Sequence, residues 1–262
     1  MPVMKSTGLT IIVPTYNEVA NIEILIKRIV DTLKDHRISY EILIVDDNSP
    51  DGTWKRVMSL NEKYPVRLLK RIYKRGLATA VIDGIKSAQA EKIIVMDADL
   101  QHPPEKIPEI YHALFDNDIV VASRYTVGGG IIGWSLKRKI ISAGAKLLAY
   151  LLLPPSRRTS DPMSGFFGIR KNVIKGINMN PRGYKILLEI LVRGKYGKVT
   201  DVPYIFKSRI RGRSKMGIKE ITAYMSHLIS LAKTSGQFWR IILILTFLVI
   251  LAIVSIAAIF FF

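Results

Sequence analysis

The chain has no cysteine, which excludes disulfides, thiolate metal sites and covalent catalysis by a thiol, and fits a reducing compartment. Histidine is scarce as well: His36, His102, His112 and His227 are scattered without the spacing of a zinc site. Carboxylates are few, 21 Asp and Glu against 39 Lys and Arg, for a formal charge of +18. A chain so short of negative charge seeks polyanions: nucleic acid, anionic lipid or phosphorylated substrates. Internal repeats and low-complexity tracts are lacking, and Met1 to Leu9 hold no apolar core of signal-peptide length. With 262 residues there is room for one sizeable domain and an appendage.

The presence that decides among those polyanions is a run of 22 residues without a charge, Ile241 to Phe262. As a helix it would extend about 33 Å at about 1.5 Å per residue, enough for a hydrocarbon core of about 30 Å. Trp239 stands at the interfacial position, with Lys233 and Arg240 on the N-terminal side. This favours lipid over nucleic acid, and a single-pass C-terminal anchor at 238–262 with the body of the chain cytoplasmic. Either the protein is tail-anchored or a longer membrane region follows Phe262.

Before that tail, apolar strands alternate with amphipathic helices. Leu9–Pro14, Tyr40–Val45, Val66–Ile72, Lys92–Met96 and Ile119–Ala122 read as strands. Helices are expected at Glu18–Leu33, near Thr53–Asn61, at Gly76–Ser87 and at Pro103–Phe115. Short links between them predict an α/β fold, a mostly parallel sheet covered by helices on both faces. Basic amphipathic helices are expected at about 134–153, with Lys137, Arg138, Lys139 and Lys146 beside leucines, and at 217–237. Each is an interface helix or an ordinary packing helix. The segment 1–216 then forms one domain, followed by the second amphipathic helix and the anchor.

Ligands of such sheets sit at the carboxyl ends of strands. There the chain carries Pro14-Thr15-Tyr16-Asn17-Glu18, Asp46-Asp47, Asp97-Ala98-Asp99 and Ser123-Arg124-Tyr125. In an extended backbone Asp97 and Asp99 point the same way and can converge on a hard divalent cation, Mg²⁺ or Mn²⁺. Alone, Asp-Ala-Asp is equally a turn. Lys207, Arg209, Arg211, Arg213 and Lys215 fall at every second position in what reads as a loop. Such a loop suits a pyrophosphate or lipid headgroups. Arg124 and Arg138 are further forks for phosphate oxygens. Asp161-Pro162-Met163-Ser164-Gly165-Phe166-Phe167 reads as a turn into a short strand.

On the Pro14–Glu18 and Val45–Thr53 stretches, the chain resembles the family 2 glycosyltransferases with a Rossmann-like GT-A fold. Met96-Asp97-Ala98-Asp99-Leu100-Gln101-His102-Pro103-Pro104 and Asp161–Phe167 are more specific. They are similar to the branch of dolichol-phosphate (polyprenyl-phosphate) mannose synthases. The resemblance runs from about Thr10 to Gly217 and departs at Arg213, where the family usually has an acidic residue. It implies a metal-dependent, inverting transfer of mannose from GDP-mannose to dolichyl or polyprenyl phosphate at a cytoplasmic membrane face, serving glycosylation. It further implies that Pro14, Tyr16, Glu18, Val45 and Asp47 hold the guanosine. Asp97, Ala98, Asp99 and Gln101 would surround the metal and pyrophosphate, with Asp97, Asp99 and Gln101 as the metal set. Arg124, Arg209 and Lys215 would bind the phosphates, while Arg138 and Ser142 would meet the lipid phosphate. Asp99, Arg124, Arg138 and Ser142 are accordingly the expected catalytic residues. The rival readings are a synthase charging the same lipid from UDP-glucose or another donor, and a non-catalytic membrane-tethered anion-binding protein.

Overall fold

The computed structural model describes residues 7–73, 75–179, 185–207, 218–240, 242, 243 and 246. Its first half is a run of parallel units: β1 (Leu9–Thr15), α1 (Val19–Leu33), β2 (Tyr40–Asp46), α2 (Thr53–Leu60), β3 (Val66–Lys70), α3 (Leu77–Ser87) and β4 (Lys92–Val95). A 3₁₀ turn at Pro104–Lys106 leads into α4 (Ile107–Ala113), followed by β5 (Ile119–Ser123) and a short β6 (Gly130–Ile131). Next come α5 (Leu136–Leu152), β7 (Phe167–Arg170), α6 (Ile186–Arg193), β8 (Val199–Pro203), β9 (Ile205–Phe206) and α7 (Ile218–Thr234). The seven-stranded sheet has the order β3-β2-β1-β4-β7-β5-β8, and β6 pairs with β9 beside it.

The central strands β1, β2, β4, β5 and β7 are buried along nearly their whole length because both faces of the sheet are covered. On β2, Ile42 and Ile44 pack with Ile22, Leu25, Ile26 and Ile29 of α1. Leu43 and Val45 turn to the opposite face, against Ala78, Val81, Ile82 and Ile85 of α3. Contact there is close: a Cβ on Gly84 would lie 2.8 Å from Ile12 Cγ2. A third cluster joins Ala149 and Leu152 of α5, Leu188 of α6 and Leu228 and Leu231 of α7.

The parallel α/β expectation holds except at β7, which runs antiparallel to both β4 and β5. The expected helix at Pro103–Phe115 opens as a 3₁₀ turn, Pro104 standing first in it where its missing N–H costs nothing. Among the described residues no helix is long and apolar enough to cross a membrane. Most of the expected anchor at 238–262 lies outside the described residues.

Candidate active site

The C-terminal ends of β1, β2, β4 and β5 open onto one cavity of about 830 Å³, with α5 and α7 forming its far wall. At its near end stand Pro14, Tyr16, Glu18 and Asp47. The loops there are tied together by Asp46, whose Oδ2 accepts the Thr15 and Ser49 hydroxyls at 2.8 and 2.7 Å. Asn17, at φ 61, donates its N–H to Ser49 Oγ, and Glu18 donates its own to Thr53 Oγ1. Asp47 is itself a strut: it accepts Arg71 Nε and the Gly76 N–H, both at 2.7 Å. The Arg75 guanidinium lies 5.4 Å from the Tyr16 ring centroid. Val45 is the one expected nucleoside contact that the structure removes from the site. Pleating turns its side chain into the core against α3, and it does not line the cavity.

Asp97, Ala98, Asp99 and Gln101 all line the middle of the cavity. They reach it by a bend rather than by an extended strand. β4 ends at Val95, and Leu100 adopts φ 63. Asp99 Oδ1 accepts the Gln101 N–H at 3.2 Å. Gln101 Nε2 donates to the Lys207 carbonyl at 2.7 Å, linking the acidic loop to the first residue of the basic segment. The remainder of that segment, with Arg209 and Lys215, lies outside the described residues.

His102, not expected as a site residue, holds this loop. Its Nδ1 accepts the Asp97 N–H at 3.1 Å, and its ring stacks on Phe166 with centroids 5.3 Å apart. Burial drives its pKa down to about 4 against the raising field of Asp99, so the ring is neutral at neutral pH. With Nδ1 accepting, the proton sits on Nε2, which faces Asp97 Oδ2 at 3.8 Å. Gly165 closes the cradle: a Cβ there would stand 2.8 Å from Asp97 Oδ2 and 3.2 Å from His102 Cε1.

At the far end Arg124 is gripped by the buried Asp161 through Nε (2.7 Å) and Nη2 (2.8 Å). Its guanidinium is surrounded by Tyr125, Trp134 and Phe206 rings at 5.4 to 5.5 Å. Desolvation works against that charge, but the bonds to Asp161 outweigh it and raise the pKa, so Arg124 stays ionised. Ser135 caps α5 by accepting the Arg138 N–H. From the first turn Arg138 lays its guanidinium 4.1 Å over Trp134. One turn later Ser142 Oγ shares a 2.9 Å hydrogen bond with the Tyr125 hydroxyl. Lys185 was also unexpected. It lines the cavity and donates Nζ to the Met163 carbonyl at 3.1 Å. Desolvation and Arg124 push its pKa down to about 8, against the raising fields of Asp161 and Asp97.

α5 has two faces of different use. Arg138, Ile141, Ser142, Ala145 and Leu148 face the cavity. On the opposite side of the helix Leu136, Ile140, Ala143, Leu147 and Leu151 form an exposed apolar stripe, Leu136 at 73% and Ile140 at 63% accessible. Beyond α7, Ile242 and Leu243 are exposed too, and Arg240 reaches towards the Leu151 carbonyl at 3.5 Å.

The sequence profile described as Glycosyl transferase family 2 matches residues 10–177. The chain is 47% identical over 234 residues to a dolichol-phosphate mannosyltransferase of Pyrococcus furiosus, covering 89% of this chain and 66%, just under two thirds, of that protein. It is 38% identical to the dolichol-phosphate mannosyltransferase of Mycosarcoma maydis, covering 93% of this chain and 85% of that one. For the Saccharomyces cerevisiae protein of the same name the identity is 36%, with 91% and 92% covered. Among solved structures, glucosyl-3-phosphoglycerate synthase from Mycobacterium tuberculosis, crystallised with Mn²⁺, UDP and glucosyl-3-phosphoglycerate, superposes with a TM-score of 0.64 at 17% identity, covering 87% of this chain and 80% of that one. At such identity the likeness concerns the fold.

Proposed function

We infer, since this chain belongs to glycosyl transferase family 2 and has a GT-A type fold, that it transfers mannose from GDP-mannose to dolichyl or another polyprenyl phosphate, giving a β-linked product. The relatives' shared name supports mannose as the sugar and dolichyl phosphate as the acceptor. The observation that carries it is the double face of α5: Arg138 and Ser142 towards the cavity, and an apolar stripe outward. A helix of that kind lies on a bilayer with its apolar side in the acyl boundary, bringing a lipid phosphate to the cavity mouth. The charge of +18 adds attraction to anionic headgroups. Residues 238–262 would anchor the chain, with the body on the cytoplasmic side.

Pro14, Tyr16, Glu18 and Asp47 take the guanosine at the near end of the cavity. Asp97, Asp99 and Gln101 would hold a divalent cation, Mg²⁺ or Mn²⁺, and their chemistry fits: two carboxylates and an amide oxygen are hard donors. The Gln101 amide nitrogen donates to the Lys207 carbonyl. Among the described residues no three His, Cys, Asp or Glu side chains gather into a metal cage. Water and substrate phosphates usually complete the shell of Mg²⁺. When bound, the cation supplies charge to the diphosphate.

The acceptor phosphate, with a second pKa of about 6, is largely dianionic at neutral pH. It attacks the anomeric carbon without a general base. The bond to the diphosphate breaks on the opposite side, which inverts the centre. The chain's work is then alignment and charge. Arg138 and Ser142 orient the acceptor phosphate, and Arg124 meets the phosphates from the aromatic pocket. Arg209 and Lys215 bring further cations to the donor phosphates.

The test offers labelled GDP-mannose and labelled UDP-glucose with polyprenyl phosphate in detergent. Mannose label is expected in the organic phase, and a divalent-metal chelator should abolish its appearance. Glucose label alone would overturn the donor, and a near-normal rate without divalent metal would overturn the metal set. Gly165→Ala offers a finer check, because the added methyl must displace Asp97 or His102. Transfer should fall by about 10²-fold, the cost of a displacement near 1 Å, with little change in melting temperature. Unchanged kcat would show that the cradle tolerates the shift.

A further inference from the structure

Resting on the reading just given, we propose that Lys185 is a substrate-contacting cation whose Nζ binds a phosphate oxygen of the reacting pair as the glycosidic bond is exchanged. Among the described residues lining the cavity, the cations are Arg75, Arg124, Arg138 and Lys185. Arg75 sits by Tyr16 at the nucleoside end. Arg124 commits Nε and Nη2 to Asp161, so that pair brings no net charge. Two phosphates that repel one another must nevertheless meet in the middle of this cavity. Arg138 and Lys185 bring two further described cations to that space.

The place of Lys185 suits that task. Its ammonium is held by the Met163 carbonyl, on the same turn that carries Asp161 and Gly165. It lines one cavity with Asp97 and Asp99 of the acidic loop and with Arg138 and Ser142 of α5. The donor diphosphate and the acceptor phosphate would approach from those two sides. An ammonium drawn out of water is costly unless anions surround it, and a phosphate oxygen supplies the strongest such partner. Its position at the start of α6, whose next turns pack beneath the sheet, fixes it there. In the reaction the acceptor oxygen forms its bond to the anomeric carbon while the old bond's electron pair passes to the diphosphate. Lys185 keeps its proton and stabilises charge on either phosphate.

The experiment compares Lys185→Met and Lys185→Arg with the wild-type full chain, measuring melting, GDP affinity and kcat and KM for transfer. The Met variant should melt cooperatively yet lose about 10²-fold in kcat/KM, and the Arg variant should regain a large part of that loss. A rise confined to KM for polyprenyl phosphate assigns the ammonium to the acceptor phosphate. A fall in kcat with weaker GDP affinity assigns it to the departing diphosphate. Either outcome supports the contact, and a packing role alone would produce neither the split nor the rescue. A folded Met variant within about threefold of wild type overturns the proposal. Should that variant fail to melt cooperatively, Lys185→Gln, which keeps a donor for the Met163 carbonyl, is judged by the same thresholds. If neither folds, Lys185 is a strut and the proposal falls. Wild-type protein that moves no sugar onto polyprenyl phosphate overturns the underlying reading itself, before any variant is made.

Discussion

Asp99→Ala is expected to abolish mannosyl transfer, by at least about 10³-fold, which at about 1.4 kcal/mol per factor of ten is roughly 4 kcal/mol of transition-state stabilisation. Asp99 lines the middle of the cavity, between the nucleoside end and α5. On the proposed reading, removing its carboxylate takes away one of the two anionic donors that would hold a divalent cation against the diphosphate. The fold should survive. The carboxylate accepts a local bond, the Gln101 N–H two residues on at 3.2 Å, and such a bond contributes about 1 kcal/mol. A melting shift of a few degrees is therefore expected. Transfer rates by extraction of labelled lipid, beside thermal melting, give both quantities. A variant that keeps more than about a tenth of the wild-type rate would show that the carboxylate is dispensable to the chemistry.

That this carboxylate was legible at all follows from where polar residues stand in a doubly covered sheet. Ile93-Ile94-Val95 is buried on both faces, so the first carboxylates after it mark the strand's end and the ligand edge. The same logic found the ends of β1, β2 and β5. The geometric reason drawn from strand pleating was wrong, since Asp97–Asp99 fall in a bend after β4, yet both side chains reach one cavity. Val45 failed for the opposite cause: it lies within β2, where pleating does govern, and pleating sends it into the core.

Other features leave no local trace. The four residues of β7 carry nothing that tells an antiparallel insertion from one more parallel strand, because direction is set by its neighbours β4 and β5. α6 packs against two different clusters. Ile186, Leu187, Ile190 and Leu191 meet the sheet's core, while Leu188 meets the cluster of α5 and α7. Lys185 at its start thus looks like any surface lysine. His102 could have been found, since it stands within the quoted Gln-His-Pro-Pro run, but a lone histidine gives no sign of which backbone N–H it will accept. Asp161 read as a turn former, and only the tertiary fold brings it to Arg124.

Asp161→Asn is expected to destabilise the protein by about 3–5 kcal/mol, the usual cost of stripping one partner from a buried ion pair. Asp161 is fully buried and the Arg124 side chain is 9% accessible. The amide keeps the shape but not the charge, so a guanidinium enclosed by Tyr125, Trp134 and Phe206 loses its counter-ion. At roughly 2–4 °C per kcal/mol, melting should fall by about 10 °C. Adding Arg124→Met removes the stranded charge and fills the aromatic pocket with an apolar chain. Much of the lost stability should then return, giving a coupling of at least about 2 kcal/mol in the double-mutant cycle. Transfer should not return with it, because the guanidinium proposed to bind the phosphates has gone. Asp161→Asn protein with wild-type melting would show that the pair does not govern this corner of the fold. A double variant that recovers both melting and transfer would make Arg124 a strut rather than a phosphate ligand.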